Sequence, residues 1–320
     1  MSAPVVLVTS RSFSTGTVDA AAQLAASGLE VRPGAPSHDL AELASQLPDA
    51  VAWIAGAGPV TGRHLEHAPR LKIVARYGVG VDAVDLRAAA ARGILVTNTP
   101  GANSDSVADF AVALMLVSLR SIVPAASRDR AGRWDGRVGA QLGDARVGLV
   151  GFGRVGQAVA RRLAGFGCRV AVHDPYVPAR VVSGYRAHPA GLAGLAQICD
   201  IVSLHAPGGE QIIGEQWLSE VRRPGLVLVN TARADLIDET AVAASLRDGR
   251  LAAFAADTIG AGLTSPLLDA GLADRVVVTP HIAAHTRQAI DAMSTMTTAD
   301  VLAALAGRPP RHLVPMPGGQ

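Results

Sequence analysis

The sequence predicts an α/β protein with two domains, each built on a doubly wound parallel sheet. The 320 residues exceed the size at which a single core usually stops growing, about 250 to 300 residues. Short β-branched runs alternate with Ala- and Leu-rich helical stretches, a rhythm typical of βαβ units. A glycine-rich turn, Gly151 to Gly156, joins an apolar run to a helical one. Together these observations favour two parallel sheets covered by helices.

The first series of βαβ units lies within residues 1–100. Its strand-like and helix-like runs are Val5 to Thr9, Val18 to Ala26, Val51 to Ala55, Lys72 to Tyr77, Leu86 to Ala91 and Ile94 to Thr97. The turn-forming sequence Asn98 to Gly101 ends this series. Ser104 or Asp105 is then expected to cap a long helix.

The second series predicts another parallel sheet. Its strands are Arg146 to Gly151, Arg169 to His173, Ile201 to His205, Leu226 to Asn230, Ala252 to Asp257 and Val276 to Thr279. The tail from Thr286 to Gln320 begins with a helical pattern and ends in proline-rich sequence, and we expect it to pack on the first series. The predicted domains are therefore residues 1–100 with 287–320, and residues 101–286.

Composition argues against several classes of protein. The apolar fraction of 49% and the charged fraction of 18% indicate a packed globular chain. The net charge is +2, and the arginines are scattered with Lys72 as the only lysine, so nucleic acid is not an expected partner. Cys168 and Cys199 are too few for a disulfide framework and lack metal-ligand spacing. We expect a reducing, cytoplasmic setting and no metal site.

No membrane association is expected. The N-terminal run Val5 to Val8 is short and follows no basic region, unlike a secretion signal. The most apolar segment, Val107 to Val123, is interrupted by Asp109, Ser118 and Arg120. That pattern favours a buried or dimer-forming helix over a membrane span.

The glycine-rich turn predicts a dinucleotide site because of its context. It follows the apolar strand Val147 to Val150 and opens the helix Gln157 to Ala164. In that context Gly151 makes the tight turn, Gly153 lets the backbone approach a pyrophosphate, and Gly156 allows close packing of helix and strand. The pyrophosphate would bind at the N-terminus of the helix, where free N–H groups favour an anion.

An acidic residue at the end of the next strand indicates which dinucleotide binds. Asp174 follows the strand Arg169 to His173 and can accept hydrogen bonds from both ribose hydroxyls. The same carboxylate would repel a 2′-phosphate, so NAD is expected rather than NADP. Arg180, a few residues further on, weakens this preference slightly.

Ordered motifs over most of the chain resemble the D-isomer-specific 2-hydroxyacid dehydrogenases, a family that includes D-lactate, glycerate and phosphoglycerate dehydrogenases. Besides the glycine turn with Asp174 to Tyr176, the matching segments are Arg76 to Asp82, Asn98 to Ser104, Val107 to Asp109, Cys199 to Pro207, Asn230 to Arg233, Ala256 to Asp257 and Thr279 to Ile282.

The resemblance implies a flavodoxin-like substrate domain built from both chain ends, a central Rossmann NAD domain, and a homodimer joined through the NAD domains. It also implies that Arg233 is the catalytic arginine and His281 the acid/base histidine. The implied cofactor-binding residues are Gly151, Gly153, Arg154, Val155, Gly156, Asp174, His205, Pro207, Thr231, Asp257 and Val107. The implied substrate-binding residues are Arg76, Val79, Gly80 and Asn103.

The residue chemistry of these two side chains suits hydride transfer to and from a 2-oxo or 2-hydroxy acid. A guanidinium fork such as that of Arg233 can bind the carboxylate and polarise the adjacent carbonyl. Hydride addition leaves an alkoxide that a histidine such as His281 can protonate and, in reverse, deprotonate.

One position departs from the family pattern. The family's histidine is held by a glutamate, and the corresponding residue here is Gly262, in a stretch from Thr258 to Thr264 without any acid. Without that carboxylate, His281 would be less often protonated at neutral pH and less well oriented. We consider three hypotheses: a slower enzyme with a more acidic optimum for reduction, a substrate that supplies the missing charge, or a nucleotide-binding protein without turnover. Asp269 or His285 could substitute for the glutamate.

A second departure concerns the substrate. The loop Ala55 to Gly58 is small and uncharged where members acting on phosphoglycerate tend to offer an arginine, which argues against phosphoglycerate. Arg76 could meet an anionic distal group or hold its own loop. The sequence thus predicts an NAD-dependent oxidoreductase for a small 2-oxo or 2-hydroxy acid, with an NAD(H)-sensing or regulatory protein of the same fold as the alternative.

Overall fold

The computed structural model describes residues 3–130, 132, 136, 138–260 and 262–315. They form two compact units. The first unit joins the residues up to Asn103 with those from Ala284 onward, and the second runs from Ser104 to Ala283. None of the described helices is both long and apolar enough to cross a membrane.

All the named strands pair in parallel, in two sheets. The first unit contains β1 (Val5–Val8), β2 (Glu30–Pro33), β3 (Ala50–Ala55), β4 (Ile73–Arg76) and β5 (Leu95–Thr97). The second contains β6 (Arg146–Val150), β7 (Arg169–His173), β8 (Ala187–Pro189), β9 (Ile201–Leu204), β10 (Leu226–Asn230), β11 (Leu251–Ala256) and β12 (Val276–Val278).

The helices follow the strands in alternation. The first unit has α1 (Ala20–Ala26), α2 (Leu40–Leu43), α3 (Gly62–Glu66) and α4 (Leu86–Ala91). The second has α5 (Ser104–Leu119), α6 (Ile122–Arg130), α7 (Arg154–Phe166), α8 (Ala179–Ser183), α9 (Leu192–Ile198), α10 (Glu215–Ser219) and α11 (Glu239–Arg247). The chain then returns to the first unit with α12 (Arg287–Leu305).

The order of the strands confirms the predicted fold class. The first sheet has the flavodoxin-like order β2-β1-β3-β4-β5, and its order reverses between β1 and β3. The second sheet has the Rossmann order β12-β11-β10-β9-β6-β7-β8, which reverses between β6 and β9. Ligands of such sheets bind beyond the carboxyl ends of the strands at the point of reversal.

Both sheets are buried on their two faces, as parallel sheets usually are. Every residue of β1, β3, β9 and β10 is buried. In the second unit, residues of α5 and α7 pack in one apolar cluster, and residues of α9, α10 and α11 pack in another. The rigid sheet therefore fixes where each strand ends and where the loops that follow begin.

Some of the predicted element boundaries were wrong. Ser104 is the first residue of α5, so neither Ser104 nor Asp105 caps it, and Asp105 instead accepts a hydrogen bond from Arg162 in α7. The apolar run Val107 to Val123 does not form one helix, because the chain turns at Ser121, which has a φ of 48°. Helix α7 begins at Arg154, inside the glycine motif, earlier than predicted.

Candidate active site

The glycine turn lies at the reversal point of the second sheet, directly after β6. Gly151 has a φ of 90°, which favours glycine, and its N–H donates to the His173 carbonyl at 2.9 Å. A Cβ on Gly156 would lie 2.2 Å from the Gly151 carbonyl oxygen. Gly153 is exposed, and a Cβ built on it meets no atom within 4 Å. Two glycines thus close the turn, while the third leaves its outer side open.

Helix α7 opens from this turn with its N-terminus at Gly153. Arg154 and Val155 are the first helical residues, so their N–H groups have no intrahelical acceptor. The Gln157 side chain donates to the Phe152 carbonyl at 2.9 Å and keeps the turn against the helix. An open turn beside a 13-residue helix N-terminus fits an anionic pyrophosphate.

Asp174 follows β7 and binds the same turn. One oxygen, Oδ2, accepts from the Phe152 N–H at 2.7 Å. The other, Oδ1, accepts from the N–H groups of Tyr176 and Val177 at 2.8 and 3.1 Å. These bonds fix the carboxylate at the edge of the glycine turn. Its negative charge there disfavours the 2′-phosphate that distinguishes NADP from NAD.

Buried polar atoms beside the turn fit a polar ligand. His205 follows β9, and its N–H donates to the Val150 carbonyl at 2.7 Å. Within the described part of the chain, neither ring nitrogen of His205 nor the hydroxyl of Thr231 has a hydrogen-bond partner, although all three atoms are buried. Burial lowers the pKa of His205 to about 4, so the ring is neutral at physiological pH. Pro207, two residues further on, is exposed.

Arg233 lies just beyond β10 on a loop that Asn230 holds. The Asn230 amide donates to the Arg233 carbonyl at 2.7 Å, and its oxygen accepts from the Ala232 N–H at 3.0 Å. The Arg233 guanidinium donates to the Ala232 carbonyl at 2.9 Å. Because Asn230 is fully buried, the loop leaves the sheet in one defined direction.

Asp257, just beyond β11, organises the loop that carries His281. Its carboxylate accepts from the Thr279 hydroxyl at 2.6 Å and from the N–H groups of Ile282 and Ala283, each at 2.8 Å. The His281 N–H donates to the Asp257 carbonyl at 3.0 Å. His281 has a φ of 56°, an unusual backbone for a side chain larger than glycine, and it is exposed.

These contacts bring the two residues with predicted catalytic roles onto neighbouring strand ends. Strands β10 and β11 are paired, and the Asp257 N–H donates to the Asn230 carbonyl at 3.0 Å. Arg233 therefore extends from the loop after one strand, and His281 from a loop fixed to the next. Asp257 is 3% exposed, and each of its carboxylate oxygens accepts at least one hydrogen bond from this loop.

Three predicted substrate residues of the first unit lie at the end of β4 and on the loop after it. The guanidinium of Arg76, the last residue of β4, donates to the Tyr77 carbonyl and reaches the carbonyl of Ala55, the last residue of β3, at 3.5 Å. Val79 is 40% exposed, and its carbonyl accepts from the Asn98 amide at 2.7 Å. Gly80 follows it and is partly exposed.

Two further predicted residues lie where the units divide in sequence. Asn103 is the last residue of the first unit and is partly exposed. Val107 lies in the first turns of α5, where it is 8% exposed.

The segment expected to carry the glutamate contains a turn instead. Gly262 has a φ of 53° and begins a short 3₁₀ helix that ends at Thr264. Asp269 binds the Gly271 N–H at 2.8 Å and the Arg247 guanidinium at 2.6 Å, which lower its pKa.

Sequence reasoning missed the acid that does contact this segment, Glu239 in α11. In the sequence Glu239 stands out only as half of the acidic pair Asp238-Glu239. Such a pair is also typical of the start of an ordinary helix. Across the described residues, no group of three His, Cys, Asp or Glu side chains could hold a metal ion.

Comparisons with known proteins agree with this architecture. Residues 112–283 match the family described as D-isomer specific 2-hydroxyacid dehydrogenase, NAD binding domain. A D-3-phosphoglycerate dehydrogenase of Mycobacterium leprae is 38% identical over 289 residues, which cover 88% of this chain and 54% of the relative. This chain thus spans about half the length of that relative.

Two other similar proteins match over most of their own length. A glyoxylate reductase of Korarchaeum cryptofilum is 34% identical over 265 residues, covering 80% of each chain. The crystal structure of the TT0316 protein from Thermus thermophilus is 33% identical, with a TM-score of 0.85, and the match covers 97% of this chain and 100% of that one. Because the family's NAD-binding domain matches more than half of the chain and the reductase matches it over most of both lengths, the chain belongs to the D-isomer-specific 2-hydroxyacid dehydrogenases.

Proposed function

We propose that this protein is an NAD-dependent oxidoreductase that transfers a hydride between NAD(H) and a small 2-oxo or 2-hydroxy acid. The observation that carries the proposal is a pair of loops, one after β10 and one after β12, the second of which is tied to Asp257 at the end of β11. Asn230 fixes the loop of Arg233, and Asp257 fixes the loop of His281. A protein that only sensed the dinucleotide would need neither an arginine nor a histidine there.

The residues around the glycine turn fit NAD. We assign the pyrophosphate to the open turn at Gly153 and the N-terminus of α7, and the adenosine ribose to Asp174. The buried, unpartnered polar atoms of His205 and Thr231 would gain partners from a polar ligand. The fixed carboxylate of Asp174 supports NAD over NADP. When bound, the dinucleotide supplies or accepts the hydride.

Arg233 and His281 would do the remaining chemistry. The Arg233 guanidinium would bind the substrate carboxylate and polarise the 2-oxo group, which stabilises the developing alkoxide. His281 would donate a proton to that oxygen during reduction and take it back during oxidation. Asp257 would orient His281 through the backbone, because its carboxylate holds the next two N–H groups.

We further propose a small, unphosphorylated substrate. The loop after β3 has no room for side chains at two positions: a Cβ on Gly56 would lie 2.6 Å from the Thr9 carbonyl oxygen, and one on Gly58 would lie 2.5 Å from the His38 ring. Ala57 is the exposed residue between them. Such a loop offers no cation to a phosphate. Substrate binding in the first unit is assigned to Arg76, Val79, Gly80 and Asn103 on the family resemblance.

A homodimer joined through the second unit is also proposed. Ile122 and Val123 in α6 are 49% and 46% exposed, and Val138 is fully exposed. Val138 lines one groove with Ser121 and Pro124 of the α6 region, and a contiguous exposed apolar patch is typical of a subunit interface. The free thiols of Cys168 and Cys199 support a reducing, cytoplasmic location.

Steady-state kinetics test the proposed reaction. NADH oxidation is followed with glyoxylate, pyruvate, hydroxypyruvate and phosphonopyruvate for the wild type, Arg233→Lys and His281→Asn. Asparagine tolerates the positive φ of His281, so this variant keeps the loop. We expect His281→Asn to lose roughly 10² to 10⁴ in kcat/KM, the range typical of an acid/base group. Arg233→Lys should lose roughly 10² to 10³, the range for a group that stabilises developing charge. NADH affinity should be preserved in both.

Arg222→Lys and His67→Asn, at exposed positions outside the strands, are the matched controls. Tight NADH binding without turnover of any acid would refute the enzyme and favour the sensing alternative.

A further inference from the structure

The segment after Asp257 carries no acid of its own, yet a carboxylate reaches it from α11. Residues 258–264 contain only apolar, glycine and threonine residues. Glu239 is the first residue of α11, 21 positions away from Gly260 along the chain. Its carboxylate is available for this contact because Asp238 already caps the helix by accepting from the N–H groups of Thr240 and Ala241.

Both oxygens of Glu239 bind the segment. Oε1 accepts from the Gly260 N–H at 2.5 Å, and Oε2 accepts from the Ser265 hydroxyl at 2.6 Å. Hydrogen bonds to an ionised carboxylate are shorter and roughly twice as strong as neutral ones. A single side chain therefore fastens the segment at both ends.

The Ser265 end of this clamp is anchored in the core. Ser265 is 5% exposed, and its oxygen also accepts from the Leu267 N–H at 3.2 Å. Leu267 is 1% exposed and belongs to the same apolar cluster as Val242 and Leu246 of α11. Because this end is rigid, the position of the Gly260 end depends on Glu239.

The Gly260 end packs against Ala234, the residue that follows the candidate catalytic arginine. A Cβ on Gly260 would lie 3.7 Å from the Cβ of Ala234, the residue that follows Arg233. The segment itself starts at the residue after Asp257, which holds the loop of His281. A shift of Gly260 would therefore disturb the packing next to Arg233 and the chain leaving Asp257.

We infer that Glu239 is a positioning residue: from α11 it holds Gly260 and Ser265, and so keeps Gly260 packed against Ala234, the residue that follows Arg233. This inference rests on the proposed function for its effect on turnover. Glu239 orders the loop and does not supply the charge that the family's glutamate gives to the histidine.

Two variants separate geometry from charge. Glu239→Ala removes both bonds, and we expect kcat to fall about tenfold, as small misplacements near reacting groups do, with the Kd for NADH unchanged. Glu239→Gln can still accept from the Gly260 N–H and donate to the Ser265 oxygen, so it should restore most of kcat. Glu215→Ala is the matched control, because Glu215 is likewise the first residue of a helix and is exposed.

Hydrogen exchange of the peptide covering residues 258–265 gives a readout that needs no turnover. We expect faster exchange in Glu239→Ala, near-normal exchange in Glu239→Gln and no change in Glu215→Ala. Unchanged exchange in Glu239→Ala would overturn the inference, and so would faster exchange with wild-type kcat. If the wild type turns over no 2-oxo acid, the proposed function fails. The exchange rate in Glu239→Ala, compared with the wild type, still decides whether Glu239 holds these residues.

Discussion

Thr9, the residue after β1, determines the protonation of a buried histidine in the first unit. Its hydroxyl oxygen accepts from the Trp53 ring N–H at 2.9 Å and from the Gly56 N–H at 3.2 Å. Both lone pairs are then used, so the hydroxyl proton must go to an acceptor. The His38 Nε2 atom lies at 2.6 Å, much closer than the Ile54 carbonyl at 3.5 Å.

His38 is consequently neutral, with its proton on Nδ1. That proton is donated to the Pro59 carbonyl at 3.1 Å, which ties His38 to the loop after β3. His38 is 1% exposed, and burial lowers its pKa from 6.5 to about 4. A second proton would break the bond from Thr9.

This histidine predicts a pH dependence of stability. Unfolded His38 binds a proton below pH 6.5 and folded His38 only below about pH 4, so the free energy of unfolding should rise with pH across that window. The contribution is complete above pH 6.5 and lost as the pH falls towards 4. His38→Asn, which tolerates the φ of 59°, should reduce the slope in this window by at most about 1.4 kcal/mol per pH unit.

Urea unfolding at a series of pH values measures this slope. The exposed His67, changed to Asn, is the control and should leave the slope as in the wild type. Equal slopes for wild type and His38→Asn would contradict the assignment.

At the scale of elements, helix α7 allows a direct test of the glycine turn. Gly156 and Gly165 lie in the same helix, but only a Cβ on Gly156 meets another atom, the Gly151 oxygen at 2.2 Å. Gly156→Ala should therefore push the helix away from the turn. We expect the free energy of unfolding to fall by about 1 to 3 kcal/mol and NADH binding to be lost.

Gly165→Ala is the matched substitution. It should stabilise the helix by about 0.5 to 1 kcal/mol and leave NADH binding unchanged. Thermal unfolding and NADH titration of both variants check this. Equal NADH affinity in the two variants would mean that the turn does not form the dinucleotide site.

The elements that sequence reasoning missed are short edge strands and short helices. Strand β2 contains Glu30, Arg32 and Pro33, residues that rarely signal a strand but suit a sheet edge. Strand β8 is three residues long and ends in Pro189 at the opposite edge of its sheet. Central strands such as β10 were predicted to the residue, because burial on both faces leaves a continuous apolar run.

Across the whole molecule, the features that the sequence predicts are those formed by residues close together in the chain. The glycine turn and Asp174 could be predicted because one βαβ unit contains both. Glu239 and the network of His38 could not, since their partners lie more than 20 positions away along the chain. Such contacts appear only when the sheet order brings the loops together.

Hydride transfer from NADH to a 2-oxo acid should give the D isomer of the 2-hydroxy acid, as the D-isomer-specific family implies. The most direct test is the reduction of pyruvate or hydroxypyruvate with NADH that carries deuterium at both hydrogens of nicotinamide C4, followed by analysis of the product. We expect deuterium at C2 of a D-2-hydroxy acid for the wild type, formed at least about 100-fold more slowly by Arg233→Lys. Bound NADH with no deuterium transferred to any 2-oxo acid, or a product of L configuration, would contradict it.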